Sequence, residues 1–99
     1  MIFKNGWNFG GEIVHTKDFG FGHGGNITVS GLTPTGSPME TSVFMSENLF
    51  SRVVEHMDNT RDKFPKINVT GHFEVKVHET SGKNIKRNLR LIADELQWA

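Results

Sequence analysis

The sequence predicts a mainly β fold, a five-stranded antiparallel β-barrel with one α-helix between strands 3 and 4. Three observations carry that expectation. Apolar and polar residues alternate with a period of two in stretches bounded by turn formers. A convincing helical stripe occurs once, after the third such stretch. A chain of 99 residues with 35% hydrophobic residues can bury one modest core, which predicts a single domain over residues 1–99.

The first strand is read over GGEIVHTK, residues 10–17, where β-branched residues follow a glycine pair. DFGFGHGGN, residues 18–26, is dense in turn formers and ends it. NITVSGL, residues 26–32, places Ile27 and Val29 on one face and Thr28 and Ser30 on the other. TPTGSP, residues 33–38, breaks the chain again before METSVFM, residues 39–45, in which Thr41, Val43 and Met45 share a face and Phe44 occupies the opposite one.

The period then changes. Leu49, Phe50, Val53, Val54 and Met57 form one apolar stripe on a helix with Ser46 at its N-cap and Glu47 in its first turn, where the helix dipole favours a negative charge. The helix is expected to stop near Asp58 and Asn59, before Pro65. From Ile67 the two-residue period returns: Ile67, Val69, Gly71, Phe73, Val75 and Val77 on one side, Asn68, Thr70, His72, Glu74, Lys76 and His78 on the other. TSGK, residues 80–83, makes a turn. IKRNLRLIADELQW supplies the last strand, with Leu89, Leu91 and Ala93 inward and a change of register before Leu96 and Trp98. Three strands, a helix and two strands, with a glycine where the fourth strand must bend, is the element order of the OB-fold.

Composition narrows the function classes. Cysteine is absent, which excludes a disulfide framework, a thiolate zinc site and a cysteine nucleophile, and fits a reducing compartment. Neither a signal-peptide pattern nor a long apolar run is present, so a cytoplasmic, non-membrane protein is expected, nucleoid-associated or in the host cytoplasm if viral. The formal net charge of +0 argues against a polyanion binder on average, but the charges are segregated. Between Lys63 and Arg90 stand Lys63, Lys66, Lys76, Lys83, Lys86, Arg87 and Arg90 against Glu74 and Glu79, whereas acids gather at Glu47, Glu55, Asp58, Asp62, Asp94 and Glu95.

From Val43 to Trp98 the chain resembles the DNA-binding domain of bacterial and phage single-stranded DNA-binding proteins. VFMSENLFSRVVEHM is similar to that family's third strand and helix, KINVTGHFEV to the following strand with its apolar-x-apolar-x-Gly-x-apolar pattern, and LRLIADELQW to the closing strand. The resemblance implies a binder of single-stranded DNA in replication, recombination or repair, assembled as a homodimer or homotetramer through strand one, and not an enzyme. The family's long tail with an acidic tip, which recruits replication proteins, has no counterpart before Ala99. Primosomal accessory proteins and compact phage or plasmid single-strand binders are the nearer comparison, and replication proteins stay possible partners.

A sequence-tolerant single-strand binder needs rings for bases and cations for phosphates. Trp7, Phe9, Phe19, Phe21 and His23 are interleaved with glycines near the N-terminus. Phe19 and Phe21, in a polar loop, read as ligand contacts; Phe9 reads as core and Trp98 as structural, and Trp7 reads equally well either way. His72, Lys76, Lys83, Lys86, Arg87 and Arg90, joined by Lys17 from strand one, read as the phosphate track, although a charged face is also what any solvated strand presents.

No catalytic residue, metal or cofactor is expected. The five histidines, His15, His23, His56, His72 and His78, have no ligand spacing, and the serines lack nucleophile-elbow context. KDFGFGH, residues 17–23, also resembles the aromatic-glycine motif of cold-shock domains, so RNA is an alternative ligand. A protein-interaction OB module that binds no nucleic acid is the alternative from another class.

Overall fold

The computed structural model describes the backbone of residues 6–80 and 84–99 and the side chains of residues 6–75 and 89–99. Strands β1 (Trp7–Asp18), β2 (Gly25–Leu32) and β3 (Pro38–Met45) form an antiparallel meander. Helix α1 (Glu47–Thr60) follows, then β4 (Lys66–Thr80) and β5 (Asn84–Trp98). The strands close into a barrel in the order β1-β2-β3-β5-β4, the OB-fold arrangement.

Closure differs from the all-antiparallel expectation at one seam. β3 and β5 run parallel and meet through the single register pair Phe44↔Ile92. The reason is topological: α1 is a crossover, and the β4–β5 hairpin returns the chain in the direction of β3.

The alternating residues converge as the pattern requires. Ile13, Ile27, Val29, Val43, Met45, Ile67, Val69, Ala93 and Leu96 are buried inside the barrel, and Phe50 and Val53 of α1 cap them. Full burial of each large aliphatic chain is worth roughly 1.5–3 kcal/mol. Leu49 and Met57 are partly buried against this core, but Val54 is exposed at 39%, so the helix stripe is narrower than its spacing implies. Ser46 is the N-cap in position, with extended backbone and no side-chain cap bond. The helix runs to Thr60 and stops at Arg61, which turns left-handed at φ 55°.

The register change expected before Leu96 is a bulge at Asp94, since Thr70 pairs with Glu95 and Gly71 with Ala93. One extra residue flips the alternation, which is why Ala93 and Leu96, three positions apart, both point inward. Gly71 sits where a Cβ would run into the Ile92 carbonyl and the Trp7 ring, so the bend requires glycine there. Two inward assignments are overturned. Val75 and Leu89, register partners on β4 and β5, are 56% and 60% exposed, because this part of the hairpin extends beyond the core that would cover them.

Candidate functional site

The outer face of β1, β2 and β3 is ordered into rows by register, unbroken between β2 and β3 and shifted by one residue between β1 and β2, where Val14 bulges between Ile13 and His15. Lys17 pairs with Asn26, and Asn26 with Phe44; two residues on, His15 pairs with Thr28 and Thr28 with Ser42; beyond them, Glu12 pairs with Ser30 and Ser30 with Glu40. The first row continues around the barrel, because Phe44 pairs with Ile92 and Ile92 with His72. It is therefore the row that connects the meander to the β4–β5 hairpin.

Aromatic and cationic groups concentrate on that row. The Phe19 ring lies 6.2 Å from the Phe44 ring with 16° between their planes. Lys17 Nζ stands 5.9 Å from the Phe19 centroid, and Arg90 Cζ 4.5 Å from that of Phe44, both within cation–π range. The result is a ladder of cation, ring, ring and cation crossing from β1 to β5. Beside it Asn26, Ser42, Phe44, Leu89, Arg90 and Leu91 line a groove.

The loop after β1 presents one more ring. The His23 amide donates to the Gly20 carbonyl at 3.0 Å, with Phe21 at φ 50° and Gly22 at φ 76° between them, which is a type I′ turn. Gly22 meets the left-handed requirement without strain, whereas Phe21 does not. Held at the turn's tip, Phe21 is fully exposed. Carboxylates anchor the loop at both ends: the Gly20 amide donates to Asp18 Oδ1 at 2.7 Å and the Gly24 amide to Glu47 Oε2 at 3.2 Å.

Other predicted residues take different places. Trp7 faces the barrel rim, partly buried against the core, and its indole N–H donates to the His72 carbonyl at 2.9 Å. The His72 side chain is bracketed by carboxylates, with Nδ1 2.9 Å from Asp94 and Nε2 3.2 Å from Glu74. Hydrogen bonds to Asp94 and then Glu74 raise its pKa above the ordinary imidazole range. His72 thus meets the row with both ring nitrogens already engaged by carboxylates. The side chains of Lys76, Lys86 and Arg87, and Lys83 altogether, lie outside the described residues.

Three-dimensional comparison places this architecture among known ones. A mitochondrial single-stranded DNA-binding protein from S. cerevisiae superposes with a TM-score of 0.62 at 12% identity, over 99% of this chain and 96% of that one. A single-stranded DNA-binding protein from Plasmodium falciparum, solved in complex with single-stranded DNA, gives 0.57 at 13% identity, over 100% and 97%. The chain shares their fold. No protein-family model and no curated protein matches the sequence.

In OB-folds generally, the strand 2–3 face and the loops joining strands 1–2 and 4–5 hold oligonucleotides and oligosaccharides. The Phe19–Phe44 ladder and the Phe21 turn occupy the first two of those positions. A larger groove elsewhere, along α1 beside Asp18 at the end of β1, is walled by Asp18, Glu47, Glu55 and Asp58, and its charge is wrong for a polyanion. Phe44, Asn26 and Ser42, which line the groove beside the ladder, are not among the residues that sequence reasoning singles out. The signal for Phe44 was present, since a large aromatic on the water-facing side of a half-buried strand has no core to fill.

Proposed function

We propose that this chain is a single-domain, non-enzymatic binder of single-stranded DNA with little sequence preference. The observation that carries the reading is the ladder of Lys17, Phe19, Phe44 and Arg90 on the outward face of a closed barrel. Rings of this kind offer π faces to any base, each stack contributing on the order of 1–3 kcal/mol, and the flanking cations suit the phosphates between bases. Phe21 adds a ring that the turn offers to solvent, and the sequence carries further cations at Lys76, Lys83, Lys86 and Arg87. Among the described residues no group of acidic and histidine side chains is arranged to hold a metal ion. Trp7 belongs to the scaffold in this reading, and His72 to the support of β4 and β5.

The reading also covers assembly as a homodimer or homotetramer, action in replication, recombination or repair, in a phage, plasmid or cellular setting, and a cytoplasmic location. Its test is a salt titration of binding to a fluorescent oligothymidylate, with an RNA of matching sequence alongside. Affinity should fall steeply with salt, by about 0.7 in log K per log salt for each phosphate engaged. Absence of binding at low salt would sink the proposal and leave a protein-interaction module as the better account.

A further inference from the structure

The far end of the same outer face has opposite chemistry. Glu12 and Glu40 are exposed and flank Ser30 in the third row, while Lys17 and Phe44 flank Asn26 in the first. Ser30 lies four residue steps along β2 from Asn26, which is about 13 Å of extended strand. That exceeds the Debye length of about 8 Å at physiological ionic strength. Phosphates held at the first row are therefore screened from the acids, whereas phosphates of a strand continuing along β2 and β3 come directly against them. Lys66 lies opposite Glu12 on β4, yet among the described residues no ion pair engages Glu12 or Glu40.

We infer that Glu12 and Glu40 form an electrostatic boundary of the single-strand site, keeping phosphates off the far end of the β1–β2–β3 face and limiting the length of strand one domain holds. The inference rests on the proposed function. It adds that the footprint is set by exclusion as well as attraction. Net charge does not describe such a surface, because placement decides where the strand leaves the barrel.

The test is a length series of oligothymidylates, from about 4 to about 16 nucleotides, the range of sites found for one OB domain. It compares the full chain with Glu12→Gln/Glu40→Gln and with Glu55→Gln/Asp58→Asn. The second variant removes as much negative charge from exposed positions on α1. Boundary removal should leave the shortest oligomers unchanged and tighten the longest about two- to ten-fold at low salt. It should also steepen their salt slope by about 0.7 for each phosphate gained. The α1 variant should change all lengths alike and by less. Equal gains at every length, or gains no larger than those of the α1 variant, would overturn the boundary while leaving the proposed function intact. Absence of wild-type binding at any length would remove both. Thermal melts check folding, and Glu40→Gln alone, expected to give a smaller gain of the same pattern, serves if the double variant does not fold.

Discussion

Two groups of aromatic residues in this protein have opposite environments. Trp7, Phe9 and Trp98 pack against the barrel core, Trp7 with its N–H satisfied by the His72 carbonyl and Trp98 stacked on His56 at 3.7 Å. Phe19, Phe21 and Phe44 face outward, two of them stacked on each other and the third alone on a turn. The difference teaches that aromatic type and glycine context do not assign a role. The indoles have polar atoms or flat neighbours that settle them at the barrel, whereas the outer phenyl rings leave apolar surface in water that a ligand can cover.

The contrast breaks most visibly if an inner ring is removed. Trp7→Ala should destabilise the fold by about 2–4 kcal/mol, as large-to-small changes against a core do, and thermal melting measures it. Retention of wild-type stability together with loss of oligonucleotide binding would move Trp7 into the outer group. Phe44→Ala should do the reverse, weakening oligothymidylate binding by about 1–3 kcal/mol in a titration while the melting temperature changes little.

Phe21→Gly sharpens the contrast because its two effects have opposite signs. Release from a left-handed backbone should stabilise the fold by up to about 1 kcal/mol, and loss of the ring should weaken binding by about 1 kcal/mol. Calorimetry and titration of the same variant decide it; a destabilised variant would mean that the ring holds the loop.

The smallest effect concerns His72, whose folded pKa is raised by Asp94 and Glu74. A group with a raised folded pKa stabilises fully below its unfolded value and loses that contribution as pH rises through the folded one. The melting temperature of the wild type relative to His72→Gln should therefore be highest in acid and decline through the neutral range. A difference that does not vary with pH would show that the carboxylates do not hold the imidazolium.

Much of the fold was legible because alternation reports which side of a strand is covered. Ile27, Val29, Val43, Met45, Ile67 and Val69 all went where their period put them. Alternation does not report where the cover ends, and for that reason Val75 and Leu89 read as core yet stand in solvent. The bulge at Asp94 was legible as a break in the apolar pattern, but not the ion pair it makes with His72, whose distance in sequence is 22 residues. Phe19 and Phe21 stood out by their glycine neighbours. The alternation sets Phe44 opposite Thr41, Val43 and Met45 but does not join it to Phe19 and Phe21, because the register that aligns it with Asn26 and Lys17 exists only in three dimensions. Trp7 was undecidable without knowing that a carbonyl of β4 would meet its indole.

Among the described residues the barrel is closed between β3 and β5 by one register pair, Phe44 and Ile92, and this is also the seam that the Arg90–Phe44 contact crosses. On the proposed function, a single strand seated there acts as a suture on the thinnest join of the wall. Occupancy and cohesion then rise together, so that amide exchange along β3 and β5 slows, and the melting temperature climbs, with each increment of bound strand.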